Sequence, residues 1–201
     1  MSNDFWDSRY GEDGFAYGVT PNTFLASFAG SFKAGQSVLV IGDGEGRNGV
    51  WLAEQGCSVV SVDSSKVGVE KAKNLATEKG VEIDAVCADL MVWDWPVSSF
   101  DFVVIIYVHF PPEIRALLHD KVVAAIKPGG QLIMESFTPG QLNYSSGGPL
   151  VLEMLYTAEM MESDFKLLEI QKLEECTTEL NEGKYHCGEG AVIRLIATKT
   201  E

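Results

Sequence analysis

The sequence predicts an α/β protein with a doubly wound, mostly parallel sheet of seven strands, helices on both faces, and a C-terminal antiparallel hairpin. Three observations predict it. Short β-rich runs alternate with helix-patterned segments over about 100 residues from Ser37 onward, the order that lays strands side by side in parallel. The run FDFVVIIYV, Phe100 to Val108, is apolar nearly throughout, as a strand covered on both faces must be. The last two strand-like runs are joined by a segment rich in turn residues instead of a helix.

Each element follows from local pattern. SVLVIG, Ser37 to Gly42, reads as the first strand, and GRNGVWLAEQG places Val50, Trp51, Leu52 and Ala53 in a helix ended by Gly56. SVVSVD, Ser58 to Asp63, is the second strand. Ser64 or Ser65 caps the next helix, whose Val69, Ala72, Leu75 and Ala76 share a face before Gly80 stops it. VEIDAVCADL, Val81 to Leu90, alternates and suits a third strand. After the apolar fourth strand, Pro111 and Pro112 open a helix with Ile114, Leu117, Leu118, Val122 and Ala125 on one face, stopped at KPGG. GQLIMES, Gly130 to Ser136, is the fifth strand. A loop from Thr138 to Pro149 and a helix from Val151 to Ser163 follow, and then KLLEIQKLEECTTEL and AVIRLIATKT pair as a hairpin across NEGKYHCGEG. His119, inside the Pro111 helix, is expected on the surface.

Length and charge restrict what the chain can do. Its 201 residues suit one domain, residues 1–201, with residues 1–30 as an N-terminal lid or helix. Fifteen Lys and Arg face 29 Asp and Glu, a net charge of -14. Such a chain is repelled by phosphate backbones and anionic membranes, so the expected partner is a small molecule, with no nucleic acid and no membrane. No basic segment followed by an apolar one opens the sequence, and no run of about 18 apolar residues occurs, so a soluble cytoplasmic protein is expected. Cys57, Cys87, Cys176 and Cys187 lack metal-ligand spacing, which suggests reduced structural thiols and no metal. Oligomeric state is not legible.

The chemistry centres on VLVIGDGEGRN, Val38 to Asn48. The dinucleotide fingerprint is G-x-G-x-x-G, and counting from Gly42 through Gly44 puts Arg47 where its third glycine belongs. Gly46 comes one residue early, which counts against a nicotinamide cofactor. A tight turn with no ligand is the plainer alternative. Asp63 ends the second strand, 17 residues beyond Gly46, where a carboxylate can accept from both hydroxyls of a ribose or cap the following helix beside Ser64. Asp89 and Leu90 end the third strand, where an acid can accept from an adenine amino group. Three polar strand ends on one edge point to a nucleoside.

These residues carry a resemblance. IGDGEGRNGVWLAEQG, VDSSKVGVEKAK, ADL and KPGG resemble class I S-adenosylmethionine-dependent methyltransferases. The opening FWDSRYGEDGFAYGVTPNTFL, SFDFVVIIYVHFPPEIR, ESFTPGQL with GGP, and GKYHCGEGAVIRLIA are similar, more narrowly, to the bacterial tellurite-resistance and thiopurine-methyltransferase-related group. The resemblance implies the class I fold and S-adenosylmethionine as cofactor. It also implies that Gly42, Gly44 and Gly46 approach the methionine part, that Asp63 holds the ribose, and that Asp89 with Leu90 holds the adenine; Arg47, Ser64 and Tyr107 join this cofactor set. One departure stands out: family members commonly carry an acid where this chain has Val40. Asp43 is the candidate replacement for that charge.

Methyl transfer from a sulfonium is a direct displacement, so the protein must hold the reactants in line and exclude water. Phe5, Trp6, Tyr10, Phe15 and Tyr17 read as an aromatic lid, with Tyr17 and Gly18 near the cofactor, or else as an N-terminal helix packed on the core. His109 follows the fourth strand and is a candidate base or substrate contact, with a structural histidine as the alternative. His186 and Arg194 are candidates for contact with an anionic or soft nucleophile. Thiols, oxyanions of selenium or tellurium, and small metabolites fit this reading; cofactor binding without transfer is its rival.

Overall fold

The structure, a computed structural model, describes residues 3–200. Its sheet has seven strands in the order β3-β2-β1-β4-β5-β7-β6, and the expected doubly wound topology is present. The chain divides into two compact units, Met1–Asp94 with Glu182–Tyr185, and Trp95–Asn181 with His186–Glu201.

The first unit contains α1 (Asn3–Tyr10), α2 (Thr23–Ala26), β1 (Ser37–Ile41), α3 (Arg47–Glu54), β2 (Ser58–Asp63), α4 (Lys66–Lys79) and β3 (Asp84–Cys87). Four of the five β1 residues are buried, so this short β-branched run lies at the centre of its layer. It pairs in parallel with β2 from Ser37↔Ser58 to Ile41↔Val62, and β2 pairs in parallel with β3 up to Asp63↔Cys87. Hydrogen bonds extend that order past the strands: Gly42 N–H donates to Val62 O at 2.7 Å, and Ala88 N–H to Asp63 O at 2.9 Å. Gly42, Asp63 and Ala88 therefore leave the sheet together at one edge. Of the two serines that could cap α4, Ser65 does so, its Oγ accepting from Gly68 N–H at 3.0 Å, and Gly80 ends the helix in a left-handed conformation.

The third strand is four residues long, shorter than the alternation from Val81 to Leu90 suggests. Val81 and Ile83 instead pack on the buried cluster of Val50, Leu75 and Ala76, so their apolar side chains serve α3 and α4.

The second unit contains β4 (Phe100–Ile106), α5 (Pro112–Ala125), β5 (Ile126–Phe137), α6 (Ala158–Asp164), β6 (Glu169–Glu182, its last residue in the first unit) and β7 (His186–Thr198). β4 and β5 are parallel through Ile106↔Glu135, and β5 and β7 are antiparallel with Glu135 opposite Arg194. The turn before β7 is short, so His186 belongs to the strand and not to the turn. β5 starts at Ile126 and runs through KPGG, with a register shift between Phe100 and Phe102 on its partner. The helix expected from Val151 to Ser163 is instead a 3-10 turn, Leu152–Met154, followed by α6, whose Thr157 cap accepts from Met160 N–H. His119 is fully buried, contrary to expectation: its Nδ1 lies 2.8 Å from Asp164 Oδ2, and Phe165 packs on its ring at 4.6 Å. A partner 45 residues away leaves no mark in local sequence.

Candidate functional site

In the first unit the glycine turn is built by left-handed backbone. Gly42, Gly44 and Gly46 have φ of 62°, 58° and 90°, values that L side chains rarely adopt. A Cβ on Gly44 would meet Tyr10 Oη at 2.5 Å, and one on Gly46 would meet Ala72 Cβ at 2.6 Å. The turn thus packs between α1 and α4. Gly46, the N-cap of α3, offers no side chain to the helix, and Asp43 supplies the missing acceptor from three residues upstream. Its Oδ1 accepts from Gly49 N–H at 3.1 Å and its Oδ2 from Ser61 Oγ at 2.8 Å.

Asp43 thereby caps α3 and ties the glycine turn to Ser61, a structural role beside the cofactor role expected of it. Burial is the main cause that pushes its carboxyl up to about 6, against the opposing effect of the two hydrogen bonds.

Asp63 is buried at the end of β2. Its Oδ2 accepts from Gly44 N–H and its Oδ1 from Ser65 N–H, both at 2.8 Å. It therefore joins the glycine turn to the start of α4, combining the strand-end acid and the helix-start acceptor that the sequence left as alternatives. Burial raises its carboxyl above the ordinary range. Half-buried Ser64 follows it, while Asp89 is exposed, with Oδ1 accepting from Met91 N–H at 2.9 Å, and Leu90 is half-buried.

Arg47 begins α3 and is buried. Its Nη2 donates to Glu182 Oε2 at 2.8 Å, and Glu182 Oε1 also accepts from Asn22 Nδ2 at 3.0 Å. Arg47 Nη1 is buried without a hydrogen-bond partner among the described residues. A buried cationic donor of this kind calls for an anionic ligand group.

Residues 11–18 are held against the turn by several groups. Glu45, inside the turn, accepts from Ala16 N–H at 2.7 Å and from Lys71 Nζ at 2.9 Å. Lys71 Nζ also donates to the carbonyls of Glu12 and Gly14. Arg9 donates to Tyr17 Oη at 3.1 Å and lies 3.7 Å above the Tyr185 ring. Gly18 faces Gly183, where a Cβ would come within 2.6 Å of the Gly18 nitrogen. Tyr10 is core, as the packed-helix reading expects, and Tyr17 is half-buried in the strap of residues 11–18. Sequence reasoning missed Glu45, Lys71 and Glu182, whose partners lie 26 to 160 residues away.

In the second unit Tyr107, His109, His186 and Arg194 come together around Phe137 and Glu135. Tyr107 has φ of 57°, a strained value for a bulky residue. Its hydroxyl donates to Glu135 Oε1 at 2.6 Å, and Arg194 Nε donates to Glu135 Oε2 at 2.5 Å. His186 is buried, edge-on to the rings of Tyr107 at 4.6 Å and Phe137 at 5.3 Å. His109 has both nitrogens engaged. Nδ1 lies 2.7 Å from Met154 O, and Nε2 lies 3.1 Å from Phe137 N. A carbonyl only accepts and an amide N–H only donates, so the proton sits on Nδ1. Burial pushes the ring down to about 4. Of its two readings, the arrangement supports the structural one.

Comparison with known proteins finds methyltransferase relatives. Residues 38–130 match the model of the methyltransferase domain family. That match covers just under half of this chain. The chain is 32% identical over 124 residues to a probable thiol methyltransferase 2 of Arabidopsis thaliana, covering 60% of this chain and 53% of that protein. It is 31% identical over 128 residues to a tRNA (uracil(54)-C(5))-methyltransferase of Pyrococcus furiosus, covering 59% of this chain and 29% of the other. The chain therefore spans about half or less of the curated relatives it matches. TehB of Haemophilus influenzae shares the fold at a TM-score of 0.72 and 16% identity, over 98% of this chain and 67% of that one.

The residues in and beside the glycine turn fit S-adenosylmethionine. Arg47, with its orphaned buried Nη1, suits the carboxylate of the methionine end, and Asp63, whose oxygens each retain acceptor capacity, suits ribose hydroxyls.

Proposed function

We propose that the protein is an S-adenosylmethionine-dependent methyltransferase acting on a small nucleophile: a thiol, a selenium or tellurium oxyanion, or a small metabolite. The observation that carries this reading is Asp63, a buried carboxylate at the end of β2, hydrogen-bonded to Gly44 of the glycine turn. It is supported by the match of residues 38–130 to the methyltransferase domain family. When bound, the cofactor supplies an electrophilic methyl group on a sulfonium.

In this reading Asp63 orients the ribose, Asp89 and Leu90 take the adenine edge, and Arg47 neutralises the carboxylate at the other end. Gly42, Gly44, Gly46, Ser64, Tyr17 and Gly18 complete that set, and the strap of residues 11–18 keeps water out. Tyr107 belongs to the cofactor set by the resemblance, His186 and Arg194 are the candidates for contact with the methyl acceptor, and His109 holds the backbone of Phe137 in place. A thiol acceptor agrees with the name of the Arabidopsis relative, and an oxyanion with the tellurite-resistance group that the sequence resembles. A net charge of -14 favours a small molecule over a nucleic acid, and among the described residues no helix is long and apolar enough to cross a membrane.

The test is transfer of labelled methyl from S-adenosylmethionine to a panel of thiols, selenite and tellurite. Transfer to at least one acceptor, abolished by Asp63→Ala, is the expected result. Tight cofactor binding with no transfer to any acceptor would place the protein among nucleoside binders.

A further inference from the structure

Arg47 opens α3 with its side chain buried, and the two arms of its guanidinium are used differently. Nη2 donates to Glu182 Oε2 at 2.8 Å, whereas Nη1 is buried with no hydrogen-bond partner among the described residues. Guanidinium and carboxylate frequently meet through two parallel bonds, one from each arm. Here Glu182 leaves the second arm alone and turns its other oxygen, Oε1, to Asn22 Nδ2 at 3.0 Å. Asn22 is fixed in turn: its Oδ1 caps α2 by accepting from Leu25 N–H at 2.9 Å, and its own N–H donates to Asn48 Oδ1 at 2.9 Å. Asn48 follows Arg47 on α3, so the chain of bonds returns to the helix where it began. Asn22, Arg47, Asn48 and Glu182 are all buried, and all belong to the first unit. Glu182 reaches that unit as the last residue of β6, and the hairpin end beyond it is tied to the strap, with Lys184 N–H donating to Ala16 O at 3.0 Å and the Tyr185 hydroxyl donating to Glu12.

We propose that Glu182 is a positioning residue that reserves Arg47 Nη1 for the carboxylate at the amino-acid end of the cofactor, and so makes binding depend on that end. The inference rests on the S-adenosylmethionine reading above and deepens it, because recognition of the methionine part is assigned to a residue 135 positions from Arg47. A buried donor without an acceptor is costly, and a carboxylate brought by the ligand removes that cost. Glu182 already balances the charge of Arg47, so the second arm recognises its ligand by where it is held more than by net charge.

Substitution can disturb the orientation while keeping the side chain's size. Glu182→Gln retains one acceptor oxygen, but its amide N–H must then face either Arg47 or Asn22 Nδ2, both of which are donors. Adding Asn22→Asp gives that amide an acceptor, keeps an oxygen for Leu25 N–H and restores the charge count. The experiment is calorimetric titration of S-adenosylhomocysteine and of 5′-methylthioadenosine into the full chain, for wild type, Glu182→Gln, Glu182→Gln with Asn22→Asp, and Arg47→Met with and without Glu182→Gln. Methylthioadenosine keeps the nucleoside and the sulfur but has a methyl group in place of the amino-acid arm, so it reports damage unrelated to the carboxylate. Wild type should prefer S-adenosylhomocysteine by about tenfold or more, the size of a hydrogen bond between charged groups. Glu182→Gln should lose about tenfold for S-adenosylhomocysteine and less than about twofold for methylthioadenosine, and Asn22→Asp should recover the loss to within about threefold. In the Arg47→Met background the Glu182→Gln change should have no further effect. The proposal is overturned by unchanged or tighter S-adenosylhomocysteine binding in Glu182→Gln, by a loss shared equally between the two ligands, by failure of the rescue, or by a further loss on top of Arg47→Met. Equal affinity of wild type for the two ligands would overturn it too, yet leave the nucleoside part of the cofactor reading standing; binding of neither ligand would end that reading and the proposal together.

Discussion

Asp43 shows how a single buried carboxylate couples the cofactor turn to pH. Its value moves from 3.8 in the unfolded chain to about 6 in the folded one, so between those limits the folded state holds the extra proton. Stability from this group is then full below pH 3.8 and is lost as pH rises through 6, by on the order of 3 kcal/mol. Nearby Asp63 acts in the same direction and Arg47 against it. Asp43→Asn retains the acceptor for Gly49 and escapes this loss. Denaturant titrations at pH 4 and pH 7 should show the variant gaining on wild type by about 2–3 kcal/mol across the interval. Its affinity for S-adenosylmethionine should change by less than about threefold, since the carboxylate faces Ser61. His109 carries a second residue-scale prediction. With its ring pushed down to about 4, it contributes no inflection to the pH-rate profile between pH 5 and 8. His109→Ala should lower stability by about 1–3 kcal/mol, because Phe137 N–H loses its acceptor. An inflection near pH 6.5 that disappears in the variant would restore the base reading.

Among elements, the start of α3 and the strap of residues 11–18 depend on groups distant in sequence. Gly46→Ala would place a Cβ 2.6 Å from Ala72 Cβ at a φ of 90°, and a stability loss of about 2–4 kcal/mol should appear as a lower denaturation midpoint with unchanged slope. Lys71→Met removes the ammonium shared by Glu12 O, Gly14 O and Glu45 while keeping the aliphatic stem. Faster amide exchange confined to residues 11–18 is expected; unchanged exchange there would show that the strap is held by its other contacts. The same elements show what the sequence could carry. β1, β2 and α4 were legible because their burial is periodic and their caps local, Ser65 and Gly80 included. So was Asp63, fixed by the end of a strand. β3 was overread, since Val81 and Ile83 alternate like a strand yet pack on Val50 and Leu75. Glu182, Glu135 and the buried side of His119 were not legible, because each is set by a partner that the fold alone brings near.

For the molecule as a whole, the charge of -14 and the match to a methyltransferase domain bear on partner and activity. Self-repulsion among 29 acids should make added salt stabilising, so a rise of a few degrees in Tm is expected between about 0.05 and 0.5 M NaCl. A fall in Tm would mean that ion pairs such as Arg47–Glu182 and Arg115–Asp164 outweigh the net repulsion. The central claim is that the glycine turn and Asp63 hold S-adenosylmethionine and not a dinucleotide. Calorimetric titration of S-adenosylmethionine, S-adenosylhomocysteine and NADH into wild type and Asp63→Ala tests it most directly. The account predicts micromolar binding of the first two, none of NADH, and a loss of about tenfold or more in the variant; binding of NADH alone, or equal affinities in the two proteins, would contradict it.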